Sequence, residues 1–254
     1  MDVLKSKPLH GKFFHNPDIS KKTHLWLKNN QITPHLEQLI FSAQEQVIRT
    51  NNYQKFIEKR TEVDPLCRFC HEHPETTQHI LSACSVLART DYIKRHNKMG
   101  EVVYQKASQA ANIFHNKNKE IPPVVESATH KLYWDLPIKT YKNCAANRLD
   151  FIFFDKIDSH VYIVDFSVPC DTNVSKKYAE KVSKYIPLAK EIKLLWKAKK
   201  VNIIPVIIGC LGTINSRLIK CFKRLPFQIK PEQLQVVVLQ QSAAILQSLF
   251  AEHS

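Results

Sequence analysis

The stretch Asn147-Arg-Leu-Asp-Phe-Ile-Phe-Phe-Asp-Lys-Ile-Asp-Ser-His-Val-Tyr-Ile-Val-Asp-Phe-Ser-Val-Pro169 decides how this chain is read. Two apolar runs, Leu149 to Asp155 and Val161 to Val168, flank a polar segment, which predicts two strands joined by a turn. Each run carries an aspartate, Asp150 in the first and Asp165 in the second. A carboxylate in an apolar setting costs several kcal/mol unless it is paired, hydrogen-bonded or bound to a metal. In a hairpin-like pair both can project toward one end of the sheet, where they raise each other's pKa unless a divalent cation lies between them. Magnesium suits such a place, since it takes one or two carboxylates with waters and substrate phosphate. The plain alternative is that one aspartate caps a turn, the role assigned to Asp155, Asp158 and Asp171.

Downstream of this pair, the segment from about Ser175 to Lys199 reads as a helix. Lys176 to Lys200 holds nine lysines against two glutamates, half of the chain's formal net charge of +14. Tyr178, Val182, Tyr185, Ala189, Ile192 and Trp196 recur at helical spacing as an apolar face. Lys177, Lys181 and Lys184 follow the same intervals on the adjacent face, a polyanion footprint or a solvated lysine face. Pro187 is expected to break or kink this helix near its middle. The apolar run Val201 to Gly209 reads as another strand, and about Thr213 to Lys223 and Glu232 to Ala251 read as covering helices. With a further β-rich run at Leu132 to Tyr141, the pattern predicts an α/β (α+β) fold: a mixed sheet flanked by helices.

Upstream, residues 1 to about 30 show no clear period and read as a loose lead-in. A helix follows, with Thr33 as N-cap, Pro34 at its first position and Leu36, Leu39, Ile40, Ala43 and Val47 on one face. Ser85 to about Phe114 reads as helical, and Asn116 to Pro123 reads as a linker by composition. The expected division is therefore a lead-in over 1–65, a cysteine and histidine region with its following helix over 66–115, and the sheet-bearing part over 124–254.

Cys67, Cys70, His79 and Cys84 give the spacing C-x2-C-x8-H-x4-C, which fits a tetrahedral structural zinc with no open position. His71 and His73 are rival ligands by residue type. So small a site cannot form a core alone, so its folding should be coupled to the metal. Arg68, Lys94, Arg95 and Lys98 around it could touch phosphates, or form an ordinary basic face.

The +14 charge favours a polyanionic partner. No apolar run approaches the roughly 20 residues that span a bilayer, which favours nucleic acid over membrane. Met1 to Lys7 lacks the apolar core of a signal peptide, so a reducing compartment is expected and the seven cysteines read as thiols and metal ligands.

The order of these features resembles a known family. The cysteine knuckle, Arg95-His96-Asn97, Trp134-Asp135, Arg148-Leu149-Asp150, Val164-Asp165-Phe166-Ser167-Val168-Pro169 and Glu180-Lys181-Val-Ser-Lys184-Tyr185 look like the C-terminal end of non-LTR retrotransposon polyproteins. The class is the one carrying a restriction-like endonuclease, which includes elements that insert into ribosomal RNA genes. The resemblance covers about residues 1 to 215 and implies a PD-(D/E)XK-type nuclease. Asp150 and Asp165 would hold Mg2+ or Mn2+, Lys181 would be the displaced catalytic lysine, and Lys184 and Tyr185 would match the following Lys-Tyr pair. It also implies a nuclear setting and a nicked DNA target. Lys177, Lys184, Tyr185, Arg68 and Arg95 would be its contacts, with element RNA and the polymerase portion as further partners.

Three positions depart from the pattern. Leu149 stands where proline is usual, Ser167 stands where a simple D-x-K nuclease has lysine, and the chain contains no Asp-Asp pair of the kind the polymerase uses. Reverse transcription is thus not expected of this chain. The alternative from another class is a non-catalytic zinc-dependent nucleic-acid-binding module derived from such an element.

Overall fold

A computed structural model describes residues 7, 9–28, 30–116, 119–141 and 146–251. All but Lys7 of the segment read for a signal peptide, and positions 117 and 118 of the linker, lie outside the described residues.

The centre is a five-stranded sheet in sequence order: β1 (Val124–Glu126), β2 (His130–Pro137), β3 (Arg148–Asp155), β4 (His160–Ser167) and β5 (Lys200–Ile207). The first four strands pair antiparallel, whereas β4 and β5 run parallel. A parallel step needs a crossover, and the lysine-rich helix supplies it. The mixed sheet flanked by helices expected from the sequence is present. The short edge strand β1 was not legible, because three residues carry no period.

Both faces of β3 and β4 are covered, which is why their sequences read as nearly continuous apolar runs. On one face, Phe151, Phe153, Val164 and Phe166 pack against Met99, Val103 and Tyr104 from the helix Asp91–Ala110. On the other, Ile152, Val161 and Ile163 meet Tyr185, Leu188 and Ile192 from the helix Val174–Leu195. In chain order the helices are α1 (Pro34–Gln44), α2 (Asn51–Phe56), α3 (Thr77–Ser82), α4 (Asp91–Ala110), α5 (Val174–Leu195), α6 (Ser216–Phe222) and α7 (Pro231–Ala251).

Gly100 lets α4 approach the sheet. A Cβ there would lie 2.7 Å from Trp134 Cη2 and 2.9 Å from Phe166 Cε2. Gly100→Ala gains helix propensity but overpacks this contact, so a net loss of about 1–2 kcal/mol in urea unfolding is expected.

Of four local expectations, three require correction and one, the N-cap of α1, holds in position. Helix α5 runs through Pro187 without interruption. Pro187 and Ser183 are both exposed, so the Ser183 carbonyl that loses its amide partner can turn to water. Thr33 occupies the N-cap position of α1 without a side-chain cap bond. Over its described residues the lead-in is not loose: Trp26 is buried, and Gln235 of α7 accepts from the Trp26 N–H and donates to the Thr23 carbonyl. Trp26 and Ile40 share a core with Val236, Leu239 and Ala243 of α7, so packing crosses the boundary drawn by composition.

Asp171 is the fourth. Rather than capping its own turn, it is buried and accepts from the Leu211 N–H (2.9 Å), the Thr213 N–H (3.1 Å) and Cys210 Sγ (3.2 Å). This ties the segment after β4 to the loop after β5. Gly209 is required beside it, since a Cβ there would fall 2.1 Å from Asp171 Oδ1. Asp155 does hold its turn, accepting from the Ile157 and Asp158 amides.

Candidate metal centre and acidic site

Cys67, Cys70, His79 and Cys84 converge, with one ligand atom from each lying within 4.8 Å of the others. Cys67 Sγ is 4.0 Å from Cys84 Sγ, and Cys70 Sγ is 3.3 Å from His79 Nε2. Tetrahedral zinc with Zn–S near 2.3 Å places two thiolates about 3.8 Å apart, so the donor set can hold a metal such as zinc. His71 and His73 are exposed and lie outside this group.

Local structure sets the ligands in place. The Cys67 N–H donates to the His73 carbonyl, and the Cys67 carbonyl accepts from the His71 N–H, closing the turn that carries the first two thiols. Thr76 caps α3 by accepting from the His79 N–H at 3.1 Å. Burial, followed by the neighbouring His73, holds the His79 imidazole below its usual pKa and so in the neutral form a ligand needs. Burial pushes the Cys67 thiol up to about 12, so a metal must displace that proton when it binds.

The knuckle borrows its core. Ile80 and Leu81 of α3 and Leu87 pack with Phe13 and with Ile245, Leu246 and Leu249 of α7. Arg68 forks onto buried Glu75, with Nη2 2.8 Å from Oε1 and Nε 2.9 Å from Oε2, while its Nη1 donates to the Leu249 carbonyl at 2.7 Å.

The second cluster lies where the strands leave their ladder. The β3–β4 register ends at Phe151 with Val164, and the Asp150 carboxylate then accepts the Phe166 N–H at 2.7 Å. Lys181 Nζ stands 2.7 Å from Asp165 Oδ2 as an ion pair, yet that buried oxygen has no directional hydrogen bond. Tyr185 donates to Asp165 Oδ1 at 2.5 Å, and Lys184 Nζ lies 3.1 Å from the Tyr185 hydroxyl.

His96 completes the group. It appears in the sequence pattern without an assigned role, and the structure places its Nε2 3.4 Å from Asp150 Oδ2. Only packing of α4 on the sheet brings it there, 54 residues away in sequence, so no local signal could have found it.

The two carboxyls are driven apart. Burial, then the Asp150 charge, raise Asp165 despite Lys181 and Tyr185. Burial also pushes Asp150 up, but the His96 ring, the Phe166 N–H and the Lys181 charge outweigh it and hold the group below the usual aspartate range. A buried and a half-buried acid whose charges act on each other are a donor set that a divalent cation can satisfy.

Of the expected nucleic-acid contacts, Lys177 and Lys184 remain on the surface side of α5, with Lys177 2.9 Å from Glu180. Three others do structural work. Arg68 is engaged as described. Arg95 is 1% exposed and donates to the Leu81 carbonyl (2.7 Å) and Ser242 Oγ (3.0 Å). Tyr185 is likewise 1% exposed, so neither side chain presents a surface to DNA. Periodicity correctly gave Tyr185 to the apolar face, but nothing in the sequence marks Arg95 as interior.

A groove of about 830 Å³ runs between the knuckle and the start of α5, lined by His73, Gln78, Ser167, Asn173, Lys176 and Lys177. No helix among the described residues is long and apolar enough to cross a membrane. A scan of protein-family models found no match to this chain, and a search of curated proteins found no similar sequence.

Proposed function

We propose that this chain is a divalent-metal-dependent DNA endonuclease of the PD-(D/E)XK type with a structural zinc knuckle. In this reading it is the nuclease end of a non-LTR retrotransposon polyprotein, acting in the nucleus alongside element RNA and a polymerase portion. The observation that carries the reading is the Asp165–Lys181 ion pair at 2.7 Å, with the Asp150 carboxylate accepting the N–H of Phe166, the residue after Asp165.

Asp150 and Asp165 would hold Mg2+ or Mn2+, which when bound lowers the pKa of water and neutralises charge on the scissile phosphate. The protein's own groups prepare the place. The Phe166 N–H and His96 fix Asp150, and Tyr185 fixes Asp165. Lys181, released from Asp165 by the incoming cation, would supply positive charge to the phosphate as negative charge develops. On this reading Leu149 serves as a core residue, buried and paired with Leu136, and Lys181 of α5, 2.7 Å from Asp165, would take the part of a lysine at Ser167.

Supercoiled plasmid incubated with the protein and Mg2+ or Mn2+ should relax to open circles, and EDTA should stop it. Lys181→Ala should slow nicking by about 10²-fold. A parent protein that binds plasmid but never nicks it would leave only the binding module.

Binding separates the surface cations from the buried one. Lys177→Ala should reduce the salt slope of DNA affinity by about one released counterion. Arg95→Ala should leave that slope unchanged and cost about 3 kcal/mol of stability, because the Leu81 carbonyl and Ser242 lose their partner and a cavity opens.

A further inference from the structure

A second cavity, of about 440 Å³, adjoins the acidic site on the α4 side, and Ile93, His96, Asn97, Trp134, Arg148 and Asp150 line it. Beside it the β2–β3 ladder skips one pair. Trp134 pairs with Phe151 and Leu136 with Leu149, while Asp135 and Asp150 between them stay unpaired and Asp135 takes φ +45°. Aspartate tolerates that left-handed conformation, and the break turns both side chains out of the strand pleat.

The cavity is the open side of the site. The Asp150 side chain is 23% exposed, against 1% for Asp165, which Lys181 and Tyr185 cover. A phosphodiester brought to Asp150 can therefore lay an adjoining nucleotide along this cavity. Its apolar lining is the Trp134 ring and Ile93, a side chain 51% exposed. Its polar lining is the exposed Asn97 amide, one helical turn from Ile93, and the Arg148 guanidinium held in a fork by Asp135 at 2.7 and 2.6 Å. An aromatic ring together with amide and guanidinium hydrogen-bonding groups suits a nucleobase, and the volume falls within the ~300–1,000 Å³ range of small-ligand sites.

We propose that this cavity receives one unstacked nucleobase next to the scissile phosphate, so that the enzyme opens the DNA locally where it cuts. The proposal rests on the nuclease reading for the word scissile, but not for the pocket. A base drawn out of the stack costs a few kcal/mol, and stacking on an aromatic face with hydrogen bonds to its edge can return it.

The test is a scan of duplexes carrying 2-aminopurine at each position in turn, bound by the full chain with Asp165→Asn in Ca2+ so that no cleavage intervenes. One position should brighten several-fold, because 2-aminopurine fluoresces when unstacked. The pair Ile93→Ala and Asn97→Ala should remove most of that rise, whereas Ile157→Ala, in the distant β3–β4 turn, should keep it. No brightening at any position, or brightening that survives the Ile93 and Asn97 changes, overturns the proposal. Because the scan needs no cleavage, nicking without brightening rejects the pocket and leaves the nuclease, and brightening without nicking does the reverse.

Discussion

Asp165→Ala should lower metal-dependent nicking by at least about 10²–10³-fold while the protein stays folded. The substitution removes the carboxylate that Lys181 and Tyr185 hold, and leaves Lys181 and the Tyr185 hydroxyl facing a small void. Its effect on stability is predicted to be modest, because Asp165 is a buried acid whose pKa is raised, first by burial and then by Asp150. An acid of this kind works against folding once it ionises. Its folded pKa lies above the unfolded value, so the penalty grows as pH rises through that interval and is fully present above it. Asp165→Ala should thus lose less stability at pH 7 than at pH 3, a contrast that thermal melts in metal-free buffer at the two values can read. Asp150→Ala should be equally inactive, but at pH 7 it should lose the stability that the His96 and Phe166 contacts lend an ionised carboxylate. Nicking by either variant at the parental rate would remove these two residues from the site.

Removing the knuckle metal should have the larger structural effect. Zinc binding in small knuckles corresponds to apparent free energies of about 10–16 kcal/mol at neutral pH, most of it coupled to folding. Here Cys67 and Cys84 are fully buried in the same cluster as Phe13, Ile48 and the C-terminal part of α7. Strong chelation, or Cys84→Ser, should therefore loosen more than the knuckle: protection of α7 amides near Leu246 and Leu249 in hydrogen exchange should fall as well. One zinc per chain by mass spectrometry under native conditions, lost in Cys84→Ser, is the expected stoichiometry. Unchanged α7 protection after the metal is stripped would mean that the hydrophobic contacts hold the knuckle in place without it. His71→Ala and His73→Ala should retain the metal, since both side chains lie outside the ligand group.

Much of this was written in local spacing. The two apolar runs around Asp155 to His160 are strands because their period and turn chemistry agree, and the C-x2-C and H-x4-C spacings place ligands on one turn and one short helix. Such signals survive in sequence because they depend on residues a few positions apart. Where the physical cause lay far off in the chain, the reading failed. Asn16, in the segment taken for a loose lead-in, donates to the carbonyl of Asp171 across 155 positions. Arg95 looks like any surface cation of a basic helix until α3 supplies the Leu81 carbonyl and α7 supplies Ser242.

By itself, then, the sequence determined the longer elements, the four-ligand cysteine and histidine cluster and the two carboxylates worth suspecting, since periodicity, turn residues and the cost of a buried charge are local or compositional facts. Only the tertiary structure decided which groups share a site. It brought Lys181 to Asp165 by the crossover of α5 and His96 to Asp150 by the close packing that Gly100 permits. It also withdrew Arg68, Arg95 and Tyr185 into the fold. The physical reason is that a side chain's partner is fixed by the packing of whole elements, whose separation along the chain carries no trace of their separation in space.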